Sequence, residues 1–170
     1  PKTPKPHAVI FELGMEVQTT HQRVSELKYK GIEYFKSKRF EKAIESYRQG
    51  LVALDGYGKK WSGNLPSFSE WESKQEQLDR LKPDQMFLKE FNRLKASLHN
   101  NIASSFCQLG EFKMADKSNN LAMMEDPEYA KVFYRRIIIL QGLSRYKEAA
   151  ELASWSIMRF DNEFEDEESQ

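Results

Sequence analysis

Apolar residues recur along most of this chain at helical spacing. Phe40, Ala43, Ile44, Tyr47, Leu51 and Leu54 fall three or four apart and form one helical stripe. Tyr146, Ala149, Ala150, Ala153 and Ile157 form another. Met86, Phe87, Phe91, Leu94, Leu98 and Ile102 keep helical spacing over a longer stretch, which predicts an extended helix. Asp84, just after Pro83, is placed to cap it. Ser69 followed by Glu72 has the spacing of a capping box and predicts a helix over 69–81. Gly56, Gly58, Gly63 and Pro66 predict a break after the helix that opens near Phe40. Trp61, Phe68 and Trp71 are expected to pack on the extended helix, with partner binding as the alternative. Near the N-terminus the period changes. Val9, Phe11, Leu13, Met15 and Val17 alternate with residues that include two Glu and a Gly, which predicts a strand with one buried face. A lone strand is not stable, so it implies a sheet ahead of it; the alternative is a disordered leader.

The stripes belong to a repeat. Gly31, Tyr34, Ala43, Tyr47 and Gly50 are separated by 3, 9, 4 and 3 residues. Ala103, Phe106, Ala115, Asn119, Ala122 and Pro127 carry the same phase, with Asn119 in the aromatic place. Ile137, Leu140, Ala149, Ala153 and Ser156 carry it again. The first two copies lie 72 residues apart and the last two 34. This is the tetratricopeptide pattern, with small residues where paired helices cross. It predicts an all-α, right-handed α-solenoid of three tetratricopeptide repeats. The repeats cover about 24–57, 96–129 and 130–163, with a helical insertion at 58–95 and the orphan strand in front. Repeat two's first helix should gain about three turns from the insertion.

Composition narrows the function. The chain has 170 residues, with 26 Lys and Arg against 26 Asp and Glu, so it is not a dedicated polyanion binder. One cysteine excludes an internal disulfide framework and a multi-cysteine zinc site. It also fits a reducing, cytoplasmic setting. No apolar run is long enough to span a membrane, no signal-peptide core opens the chain, and the first residue is Pro rather than Met, as in a piece of a longer protein. His7, His21 and His99 have no ligand spacing with Cys107 or with acids, so no metal is expected. His99 reads as groove-lining or packed, and Cys107 as a small buried residue. Ser104 and Ser105 lack an oriented base, and no phosphate loop or dinucleotide fingerprint occurs, so neither catalysis nor a cofactor is expected. Charge is unevenly spread. Residues 21–60 hold ten basic and five acidic residues, 131–147 hold five basic and none acidic, and 161–170 hold six acids and no base.

A more specific resemblance rests on short stretches. Pro6 to Leu13, PHAVIFEL, resembles the last strand of an FKBP-type isomerase domain. Lys30 to Lys36, KGIEYFK, resembles the opening of the first repeat in large FKBP-type immunophilins. LHNNIA from Leu98 and KVFYRR from Lys131 resemble the openings of their second and third repeats. The resemblance is also compatible with the aryl-hydrocarbon-receptor-interacting and Shutdown-like subgroups, which have degenerate isomerase domains. The resemblance implies that residues 1–20 end a preceding FKBP-like domain and its linker, that 21–160 are the repeat domain, and that 161–170 are an acidic tail. It also implies a co-chaperone that binds the acidic C-terminal peptide of heat-shock protein 90, and possible client proteins. Any isomerase activity would lie upstream.

The resemblance further implies a clamp for the peptide's terminal carboxylates. Lys28, Asn101, Lys131 and Arg135 match its polar positions, and Ile32 stands where many clamps have Asn. Lys131 and Arg135, four apart, share a helical face. Ile32 favours a rival, a scaffold that binds another protein through the same groove without reading a terminal carboxylate. An RNA-binding reading has only the basic stretch 131–147 behind it and lacks a repeated side-chain code. Neither nucleic acid nor membrane is expected as a partner.

Overall fold

Three tight turns, each built the same way, organise the chain. In the computed structural model, residues 6–62 and 83–160 are described, with side chains from 18–56 and 89–160. Lys38, Gly110 and Ser144 all take left-handed backbone, with φ of 58°, 75° and 61°. Around each, two backbone bonds recur. Arg39, Glu111 and Arg145 donate to the carbonyls of Tyr34, Phe106 and Leu140, and Lys38, Gly110 and Ser144 donate to Phe35, Cys107 and Gln141. This is the Schellman termination, which satisfies helix-end carbonyls and turns the chain back. The turn residues are spaced by 72 and 34, like the apolar pattern.

Among the described residues, the turns join six helices into three hairpins. They are α1 (Pro6–Lys36) with α2 (Phe40–Ser62), α3 (Pro83–Gln108) with α4 (Phe112–Glu125), and α5 (Ala130–Gly142) with α6 (Tyr146–Phe160). Small residues set the crossings. A Cβ on Gly31 would lie 2.3 Å from the Tyr47 ring, and one on Gly142 would lie 2.2 Å from the Phe112 ring. Ala43, Ala115 and Ala149, at one repeat position, are all buried. The main core runs through the first two hairpins, with Val24, Ile44, Tyr47, Leu54, Leu98, Ile102 and Phe106, and reaches Ile139 of the third. Burial pushes the Tyr47 phenol up to about 12. A smaller core joins Ala130, Phe133 and Phe160 across α5 and α6.

Polar ties fix one hairpin on the next. Lys95 of α3 pairs with Asp55 of α2 at 2.9 Å. Arg136 of α5 pairs with Asp116 of α4 and donates to Asn120 at 2.8 Å. Asn119 is fully buried and donates to the Val132 carbonyl at 2.9 Å. The aromatic place of repeat two thus holds an inter-hairpin bond.

Three expectations are corrected. Residues 9–17 are helical, inside α1, not a strand. Their alternation also places Val9, Leu13 and Val17 four apart, the spacing of a helix face, and a helix satisfies its backbone groups without a partner strand. Gly56 and Gly58 do not end α2, which runs to Ser62. Glycine inside a helix costs roughly 1 kcal/mol but keeps its N–H, so it weakens without breaking. Asp84 is not a cap, because α3 already starts at Pro83; proline at the first helical position has no N–H to lose there. The extension of α3 by about three turns is present. The helix expected over 69–81, Phe68, Trp71 and the stretch 161–170 lie outside the described residues, as does the Trp61 side chain.

Candidate functional site

The first helices of the hairpins, α1, α3 and α5, supply one face. On α1, Lys28 and Ile32 are one turn apart, and both are partly buried. The Lys28 ammonium is held below the usual lysine value, first by burial and then by the positive charge of Lys131. Lys131 is the second residue of α5, so a charge of the third repeat acts on the first here. Such a pair is relieved by an anion between the two groups.

One level further along, Ile32 and Asn101 line a small pocket of about 100 Å³ with Phe35, Tyr47 and Ser104. Asn101 therefore reaches the face from α3, against Ile32 of α1. Arg135, one turn beyond Lys131, sits against Cys107 of α3. Burial pushes the Cys107 thiol up, and the adjacent guanidinium draws it back. The Arg135 Nε is buried with no hydrogen-bond partner. Ile32 and Asn101 thus meet at one small pocket, Arg135 lies against Cys107, and the charge of Lys131 acts on Lys28. Neither Lys131 nor Arg135 lines the small pocket.

A wider cleft of about 730 Å³ adjoins Lys28. Its lining adds residues that the sequence reading assigned to no binding site, namely His21, Lys89, Arg93, Ser97 and Tyr129, with Leu94 and Glu90. A signal was present. Lys89, Arg93, Ser97 and Asn101 are four apart, so they form one stripe that continues the asparagine's face up the extended helix. Lys89 pairs with Glu128 at 3.3 Å, Arg93 pairs with Asp126, and the Arg93 guanidinium lies 4.8 Å from the centre of the Tyr129 ring.

His99 belongs elsewhere. Burial holds its imidazole below the ordinary value, Asp55 pulls it back, and Lys95 pushes it down. Its neighbours are the α2–α3 pair, so it is packed and not groove-lining. Cys107 is only partly buried. Among the described residues no His, Cys, Asp and Glu group has the makings of a metal site, and no helix is long and apolar enough to cross a membrane.

Solved structures supply the fold comparison. The first tetratricopeptide-repeat domain of Spaghetti (RPAP3), bound to the HSP90 peptide SRMEEVD, is similar over 85% of this chain and 86% of that one, with a TM-score of 0.57 and 24% identity. The tetratricopeptide-repeat domain of Arabidopsis OM64 is similar over 82% and 84%, with a TM-score of 0.53 and 21% identity. The fold is a tetratricopeptide-repeat solenoid. In that frame the inner, first helices of the repeats are α1, α3 and α5, the helices that carry all five candidate residues. No protein-family model and no curated protein matches the chain.

Proposed function

We propose that this tetratricopeptide-repeat unit is a non-catalytic docking module of an immunophilin-like, cytoplasmic co-chaperone. It takes the acidic C-terminal peptide of heat-shock protein 90 along α1, α3 and α5. The observation that carries the reading is that the first helices of the three hairpins carry the candidate donors, Lys28 on α1, Asn101 on α3, and Lys131 and Arg135 on α5, with the positive charge of Lys131 near enough to act on the Lys28 ammonium. Arg135 has an unpartnered Nε, and Asn101 lines the small pocket. Charge-assisted hydrogen bonds contribute roughly 1.5–3 kcal/mol each before desolvation and ordering offset much of it. The balance is an affinity in the micromolar range, about −8 kcal/mol. The Spaghetti domain, bound to a peptide ending in Glu-Glu-Val-Asp, supports this ligand class. The immunophilin part rests on the repeat openings at Lys30, Leu98 and Lys131, since residues 9–17 form no strand.

Ile32 supports a second reading, in which the same trough holds a different protein segment and no terminal carboxylate. Its apolar side chain lines the pocket beside Asn101. Titration with labelled SRMEEVD and with its C-terminally amidated form separates the two. The clamp predicts at least tenfold weaker binding of the amide. It also predicts loss of binding in Lys131→Glu with the helical circular-dichroism signal unchanged. Equal affinities, or full affinity in Lys131→Glu, contradict it.

A further inference from the structure

We propose that two copies of this chain pair through α6, antiparallel about a two-fold axis. The repeat supplies the first support. On α4, Phe112, Asp116, Asn119 and Met123 hold α5. Phe112 lies where Gly142 leaves room for its ring. Asp116 pairs with Arg136, Asn119 donates to the Val132 carbonyl, and Met123 packs on the cluster of Ala130 and Phe133. The same positions 34 residues on are Tyr146, Ala150, Ala153 and Ile157 of α6. This side of α6 therefore has the form of a helix-docking face. It is apolar where that of α4 is half polar, and it is open to water: Tyr146 is 65% and Ile157 56% exposed, and Ala150 is exposed between them. The outer face of a solenoid's terminal repeat is ordinarily polar, and covering an apolar one is favourable.

The occupant follows from the two ends of the solenoid. At the first end, α1 exposes Glu26, Lys30, Glu33 and Lys36. Lys30 and Lys36 stand at the repeat positions of Arg136 and Gly142. Stacking a second copy head to tail would set Lys30 on Ala150, with no acid to meet it, and Lys36 on the Tyr146 ring. Covering cations without partners is costly, so the copies do not stack that way. α6 instead fits itself. Its four face residues are spaced 4, 3 and 4 apart, an order that reads the same in both directions. Laid antiparallel, Tyr146 meets Ile157 of the partner subunit, and Ala150 meets Ala153 of the partner subunit. The alanines at the centre let the backbones approach, and the larger side chains close both ends. Such a contact is isologous, so it stops at two copies. It spans about 16 Å of helix, which puts it among small, reversible interfaces below about 1,200 Å². None of the trough residues lies on α6, so the pairing is independent of the peptide reading.

Sedimentation equilibrium of the 170-residue chain from roughly 5 to 500 μM brackets a contact of this strength. The average mass should climb from one chain toward two. Ala150→Glu and Ile157→Glu, both at exposed positions, should each weaken pairing at least about tenfold, with the helical circular-dichroism signal and melting temperature unchanged. Met158→Glu should leave pairing intact, because Met158 is 79% exposed and lies about 100° round the helix from Ile157, away from Ala150. A single-chain mass throughout, or masses that pass two chains, overturns the proposal. So does equal weakening by Met158→Glu, which would mean diffuse apolar adhesion. Oxidising an equal mixture of Ala150→Cys and Ala153→Cys proteins should give the mixed disulfide above its chance share. Disulfides mainly between like variants overturn the antiparallel register.

Discussion

Lys28 is the residue on which charge and packing meet. It is partly buried, and its ammonium is held below the usual lysine value first by that burial and then by the positive charge of Lys131 from another repeat. Ile32 is the opposite case, an apolar side chain in a place where a donor would serve. Ile32→Asn restores that donor beside Asn101. Calorimetric titration should find binding of a free-carboxylate acidic peptide strengthened up to about tenfold, one hydrogen bond's worth. Unchanged affinity would mean that the peptide end does not reach this level of the trough. His99 governs acid stability instead. Its folded imidazole is held below the ordinary value, chiefly by burial, so the unfolded chain binds the proton more readily. Its contribution is fully present above about 6.5, the unfolded value, and is lost as pH falls through the folded one. Thermal melts should therefore drop between pH 7.5 and 5, and His99→Gln should flatten part of that slope. An unaltered slope would remove His99 from the explanation.

At the scale of elements, the turns do most to fix the repeat. Only one of the three left-handed positions is glycine; Lys38 and Ser144 carry side chains there and are exposed. Left-handed backbone costs a non-glycine residue roughly 1–2 kcal/mol, and glycine's extra freedom in the unfolded chain offsets about half of that. Lys38→Gly and Ser144→Gly should each raise stability by about 0.5–1 kcal/mol, and the melting temperature by roughly 1–4 °C. A fall in melting temperature would show that the side chains matter more than the backbone. The hairpins were legible because small residues at crossings recur in phase, from Gly31 through Ala43 to Ala115 and Ala149. Residues 9–17 were not, because alternation over nine positions also contains helical spacing, and sequence alone does not say whether a partner strand exists. The glycines at 56 and 58 misled for a related reason: they lower helix propensity but remove no hydrogen bond.

On the scale of the molecule, three hairpins with one shared turn geometry stack so that α1, α3 and α5 form a common face, and the outer helices support it. Asp55–Lys95, Asp116–Arg136 and the buried bond of Asn119 hold that stacking in register. The repeat phase was enough to locate the first helix of each hairpin; the choice of Lys28, Asn101, Lys131 and Arg135 on those helices came from the resemblance. The cleft of His21, Lys89, Arg93 and Tyr129 was harder to read, because its walls come from a helix extension and an inter-repeat turn that the repeat pattern does not cover. The Arg135–Cys107 contact was hidden too, since it depends on how closely α5 approaches α3. The central claim is that this inner face takes the acidic end of another chain. Its most direct test is an amide-NMR titration of the full chain with SRMEEVD. The trough predicts that the signals of Lys28, Asn101, Lys131 and Arg135 shift together and saturate with one micromolar-range dissociation constant. Shifts confined to α2, α4 and α6, or no shifts at millimolar peptide, would contradict it.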